Sequence, residues 1–162
     1  MSEFNDSTPA LGVGAIVNVL LATDRDDTAN RLQDLFDRTR WNLDVVKTCR
    51  EAIVGLRSRS YGVVISETEL PDGTWRELLR LSSKLDRAPN LVVTSGSADE
   101  CLWAEVLSKG GYDVLPRPFD RSEVVRIVSL AWQDWRRSRP APQARAAAAS
   151  SMASTASQLT PA

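Results

Sequence analysis

The sequence predicts an α/β domain, a doubly wound parallel sheet of five strands in (βα)5 order. Short β-rich runs alternate five times with amphipathic segments along its 162 residues. Three of the runs are almost continuous Val, Ile and Leu, the pattern of parallel strands buried on both faces. Right-handed crossovers of that order put helices on both sides of one sheet and its binding edge at the carboxyl ends of the strands.

The first run, Ile16 to Ala22, precedes a helix marked by Leu32, Leu35 and Phe36. Leu43 to Val46 is the second strand, and Ala52, Ile53 and Leu56 carry the helical spacing after it. Val63 to Ser66 leads to a helix with Leu78, Leu79 and Ser82, and Leu91 to Thr94 to one with Leu102, Val106 and Leu107. Asp113 to Leu115 is the last strand, followed by Val124, Val125, Val128 and Trp132. Thr48 with Glu51, Thr74 with Glu77, and Ser97 with Glu100 have capping-box spacing, and Asp120 with Glu123 is a variant. Gly110 stands where a left-handed cap would end the fourth helix, and Pro140 closes the fifth. Residues 15–139 form the expected folded unit. Residues 1–14 read as a flexible N-terminus, and 140–162, rich in Ala, Ser and Pro, as a disordered tail or linker that cannot bury enough surface to order itself.

Composition narrows the function. Twenty Lys plus Arg against twenty-one Asp plus Glu give a net charge of −1, so no overall field attracts nucleic acid or an anionic membrane. With no histidine there is no imidazole metal site, no Ser-His or Cys-His nucleophile and no phosphohistidine. Cys49 and Cys101 lie far apart without a CxxC, which suits a reducing cytoplasm. The longest apolar stretch, Gly14 to Ala22, is too short to span a bilayer, and the N-terminus lacks a secretory signal pattern. The expected location is cytoplasmic, with neither nucleic acid nor membrane as partner.

Chemistry is therefore sought at the strand ends. Thr23, Asp24, Arg25, Asp26 and Asp27 follow the first strand, and Glu67, Thr68 and Glu69 the third, before Leu70-Pro71-Asp72-Gly73. Thr94-Ser95-Gly96 ends the fourth, and Pro116-Arg117-Pro118-Phe119 the fifth. In order and at these spacings, the constellation resembles the response-regulator receiver domain, of CheY-like, flavodoxin-like architecture, across the whole folded unit. The resemblance implies two-component phosphorelay signalling without enzymatic turnover. In that family two acids on the first turn hold Mg²⁺, and an Asp ending the third strand takes a phosphoryl group from a kinase phosphohistidine. A Thr or Ser and a Lys then read the phosphate.

Carried over residue by residue, the acidic pair falls on Thr23 and Asp24, the acceptor on Glu67, the hydroxyl on Thr94 and the lysine on Arg117. Three of these depart from the pattern. Thr23 replaces an acid, Glu67 the acceptor Asp, and Arg117 the Lys. Local charge falls from about −2 to about −1, which weakens any hold on Mg²⁺. The extra methylene moves the Glu67 oxygens by about 1.5 Å, and an in-line transfer loses about a hundredfold for an error of about 1 Å. The expectation is a pseudo-receiver that needs no cofactor and holds Mg²⁺ weakly if at all, through Asp24, Glu67 and Glu69, with Asp26 as a substitute second acid. A fixed Glu67–Arg117 pair, gripped by the guanidinium fork with two hydrogen bonds, would stand in for the aspartyl phosphate. Asp26 and Asp27 read as favourable charge at a helix start, and Asp72-Gly73 as a turn.

The family signals through its fourth helix, fifth strand and fifth helix. Trp103, Trp132 and Trp135 there exceed what one core-facing side needs, and they are candidate interface anchors for a sensor kinase, another signalling protein or a homodimer. Val114 replaces a switching aromatic of the family. The alternatives are a phosphorylatable Mg²⁺-dependent receiver and a ligand-binding flavodoxin-like module; against the latter, no Gly-rich phosphate loop follows the first strand.

Overall fold

The computed structural model describes residues 16–138. The proposed terminal segments, Arg139 and the Pro140 stop lie outside the described residues. Strands β1 (Asn18–Ala22), β2 (Asn42–Val46), β3 (Val63–Glu67), β6 (Asn90–Ser95) and β7 (Asp113–Pro116) form one sheet in the order β2-β1-β3-β6-β7. Every pairing in it is parallel. Helices α1 (Asp26–Asp37), α2 (Cys49–Ser58), α3 (Trp75–Ser82) and α4 (Glu100–Ser108) make the crossovers, and α5 (Arg121–Ser138) follows the last strand. The turn after β3 also holds a two-stranded antiparallel hairpin, β4 (Glu69–Leu70) with β5 (Gly73–Thr74), where the sequence had suggested only a turn.

Alternation along the strands divides the core. Val19, Leu21, Val63, Ile65, Val92 and Leu115 point to the side of α1 and α5. Leu20, Ala22, Val64, Leu91, Val93 and Val114 point to the side of α2, α3 and α4. That is why these strands read as unbroken apolar runs: each successive side chain is buried on one face or the other. The first strand is shorter than its apolar run, because Ile16 is exposed while Val17 is buried ahead of β1.

The caps follow the expected chemistry in part. Thr48 Oγ1 accepts from the Glu51 N–H at 3.0 Å, and Asp120 accepts from the Glu123 N–H at 3.0 Å. Gly110 adopts φ +101°, and Gly110 and Gly111 donate to the Leu107 and Val106 carbonyls, a Schellman ending for α4. Thr74 precedes α3 without a side-chain cap bond. For α4 the cap is Asp99, which accepts from the Leu102 N–H at 2.9 Å, and not Ser97. Leu107 is 54% exposed, so it does not share the core-facing stripe of Val106.

Candidate functional site

Strand register assembles the site. β1 and β3 pair as far as Ala22 with Ser66, so the next residues, Thr23 and Glu67, stand side by side. Glu67 pairs with Thr94, and Thr94 with Leu115, two residues before Arg117. Counting along alternating strands puts Thr23, Glu67, Thr94 and Arg117 on the face that α1 and α5 cover. Backbone bonds extend that order past the strand ends: Thr23 N–H donates to the Val46 carbonyl at 2.9 Å, and Arg117 N–H to the Ser95 carbonyl at 3.0 Å.

Glu67 is 4% exposed, and each of its carboxylate oxygens has a donor. Arg117 Nη1 donates to Oε1 at 2.7 Å, and Thr23 Oγ1 donates to Oε2 at 2.7 Å. The expected Glu67–Arg117 pair is present, but it is a single contact and not a two-pronged grip. Thr23 takes the oxygen that a second guanidinium nitrogen would have held. Thr23 is 1% exposed, and its Oγ1 accepts from the Arg25 N–H at 3.0 Å while donating to Glu67. Behind Arg117 lies Gly96, where a Cβ would fall 3.5 Å from Nη2.

Thr94 is fully buried beside Glu67 in the register, yet its hydroxyl donates to the Leu115 carbonyl at 2.9 Å. It therefore serves β7 and not the carboxylate. Asp24 and Glu69 are exposed, Glu69 on the hairpin. Arg25 turns to Asp27 at 3.2 Å, and that hydrogen bond raises its guanidinium above the ordinary value, with Glu67 and Asp24 adding smaller attractions. Asp26 and Asp27 open α1, as their charge suits.

The donor set does not suit Mg²⁺. That ion wants near-octahedral oxygen ligands, usually including free carboxylates. Here the Glu67 oxygens are occupied, Thr23 supplies no charge, and no group of three His, Cys, Asp or Glu side chains gathers among the described residues. The expected set of Asp24, Glu67 and Glu69 is thus not brought together.

Of the three candidate interface tryptophans, Trp132 requires a correction. Trp132 is 6% exposed and belongs to the core on the α1/α5 side, and Trp135 packs against the same cluster. Both lie over Gly62, where a Cβ would meet Trp132 Cδ1 at 2.7 Å and Trp135 Cε3 at 2.8 Å. Trp103 packs on the other side and donates its Nε1–H to Asp113 at 2.8 Å. Trp132 thus belongs to the core, Trp103 and Trp135 are half-buried at its edge, and the exposed large apolar side chains of α4 and α5 are Leu107 and Leu130.

Sequence reasoning missed the roles of two residues. The role of Thr23 as a hydrogen-bond donor was available from register, since residue 23 continues a strand paired with the one ending at residue 67. Asp72 was read as turn chemistry. Its carboxylate accepts from the N–H groups of Cys49 at 2.7 Å and Arg50 at 3.0 Å, capping α2 from across the edge. Those bonds, that from Cys49 foremost, hold its carboxyl below the usual range.

A family model described as response regulator receiver domain matches residues 19–129. The C4-dicarboxylate transport transcriptional regulatory protein DctD of Rhizobium meliloti (strain 1021) is 24% identical over 119 residues, covering 74% of this chain and 26% of that protein. The chain thus spans about a quarter of that relative's length. The signal receiver domain of an HD domain-containing protein from Pseudomonas fluorescens Pf-5 superposes with a TM-score of 0.68 at 26% identity, over 76% of this chain and 93% of that one. A beryllofluoride-activated NtrC4 receiver domain dimer gives 0.67 at 19% identity, over 73% and 98%. These likenesses show a shared fold. Among the described residues no helix is long and apolar enough to cross a membrane.

Proposed function

The chain belongs to the response-regulator receiver domain family, and from that premise we propose that it acts in two-component signalling as a protein-interaction module whose acceptor position is held unphosphorylated in one state. The observation that carries this reading is the buried Glu67 carboxylate with a donor on each oxygen. A phosphoryl acceptor must present a free oxygen in line with phosphorus, and positional errors of about 1 Å are costly. Here both oxygens are committed, and the side chain is longer than the family's Asp. No cofactor is required on this reading, and among the described residues no ligand set for Mg²⁺ is assembled.

The partner is a sensor kinase, another signalling protein or a second copy, met at the face of α4, β7 and α5. Leu107 and Leu130, exposed on α4 and α5, support that reading as apolar contact points, along with the half-buried Trp103 and Trp135. The NtrC4 receiver, a fold relative, is a dimer. A flavodoxin-like ligand module is not favoured, because the turn after β1 reads Thr-Asp-Arg-Asp-Asp and would repel an anionic cofactor. Incubation with acetyl phosphate and Mg²⁺, followed by intact mass, tests the central statement. The expected spectrum is unmodified protein; a stoichiometric phosphate adduct that disappears in Glu67→Gln would overturn it.

A further inference from the structure

The residue that replaces a family acid is also the one that completes the coordination of Glu67. Thr23 Oγ1 has two polar neighbours, and they fix the direction of its proton. The Arg25 N–H occupies a lone pair at 3.0 Å, so the hydroxyl hydrogen is directed to Glu67 Oε2 at 2.7 Å. The bond closes a separation of 44 residues, although a Thr hydroxyl can also bond nearby backbone. Without it, the Arg117 contact at a single nitrogen would leave the second oxygen of a buried carboxylate unsatisfied.

Charge points the same way. An acid at position 23 would put a second carboxylate within hydrogen-bonding distance of Oε2. Two carboxylates that close do not both stay ionised unless a cation lies between them. A hydroxyl removes that requirement and donates where the longer acid accepts. We propose that Thr23 is the positioning residue of this site: its hydroxyl holds Glu67 in the Arg117 pair, and its lack of charge closes the edge to a divalent cation. The inference rests on the reading of Glu67 as an internally satisfied, unphosphorylated position, and it assigns the cause of that state to a second residue.

The test uses the whole chain with Thr23→Val, Thr23→Ser and Thr23→Asp. The Arg117 Nε–H resonance is followed by ¹⁵N NMR, and melting is followed against added Mg²⁺. Thr23→Val keeps the shape and loses the donor, so the Arg117 signal is expected to shift and broaden, while Thr23→Ser restores the wild-type position. Thr23→Asp is expected to gain a saturable rise in melting temperature with Mg²⁺ that wild type lacks. An unchanged Arg117 signal in Thr23→Val overturns the positioning role, and this arm decides the matter even if Thr23→Asp does not fold. A folded Thr23→Asp without a Mg²⁺ response, or wild type with one, overturns the charge argument. A phosphate adduct on wild-type Glu67 would instead sink the unphosphorylated reading, with the Thr23 arms decided on their own signals.

Discussion

Arg117→Met removes the charge facing Glu67 while keeping most of the aliphatic stem. The Glu67 side chain is 6% exposed and that of Arg117 19%, at 2.7 Å. Removing one partner of a fully buried pair costs about 3–5 kcal/mol, because the other charge stays buried and uncompensated. Two features lower that figure here. Arg117 retains some contact with water, and Thr23 continues to donate to the stranded carboxylate. The expected loss is about 2–3 kcal/mol. With a urea m-value of about 1–3 kcal/mol/M, the midpoint falls by about 0.7–3 M. The double variant Glu67→Leu/Arg117→Met removes both charges and leaves only the Thr23 hydroxyl short of an acceptor, so it should lie within about 1 kcal/mol of wild type. Urea melts of wild type, both single variants and the double variant give the coupling directly. If Arg117→Met costs less than about 0.5 kcal/mol, the pair behaves like a solvated surface contact and the reasoning fails. Additive single losses would refute it equally.

Asp72→Ala removes the acceptor for two N–H groups at the start of α2 and should cost about 1 kcal/mol in a urea melt. Because its folded carboxyl is held low, the wild-type contribution is present above the ordinary range near about 4 and is lost as pH falls through the depressed value. The variant should therefore lose less stability than wild type on acidification, and parallel acid profiles would contradict the cap. Tyr61 and Tyr112, the two tyrosines of the chain, are pushed up to about 12, by burial first and then by hydrogen bonds to Asp44 and Asp134. The raised values favour the neutral phenol, so that stabilisation is complete below about 10 and is lost as pH rises toward 12. Tyrosinate absorbance should stay absent through pH about 10, and a phase there in folded protein would disprove the burial argument.

Particular residues explain how far the sequence could be read. The strands were legible because alternation onto two apolar faces leaves no polar gap, as in Val63 to Ile65. Glu67 and Arg117 were legible as a pair because both stand at carboxyl ends on the same edge. Trp132 misled because helical spacing in α5 cannot say how deep a side chain sits. The absent Cβ of Gly62, the residue before β3 and far away in sequence, makes room for Trp132 and Trp135. Ser97 misled because it has the spacing of a cap, while Asp99 satisfies the Leu102 N–H with a charged acceptor nearer the helix.

By itself, the order of apolar runs and helical stripes determined a (βα)5 sheet and the edge where polar residues gather. Local patterns suffice for that, since burial on one or two faces imposes a period that a single chain segment displays. Which hydroxyl meets the carboxylate was decided by tertiary structure. Thr94 and Thr23 both flank Glu67, and the family resemblance put the site's hydroxyl on Thr94. The fold turns Thr94 to the Leu115 carbonyl and Thr23 to Glu67, because each buried donor must find the acceptor that strand register puts within reach.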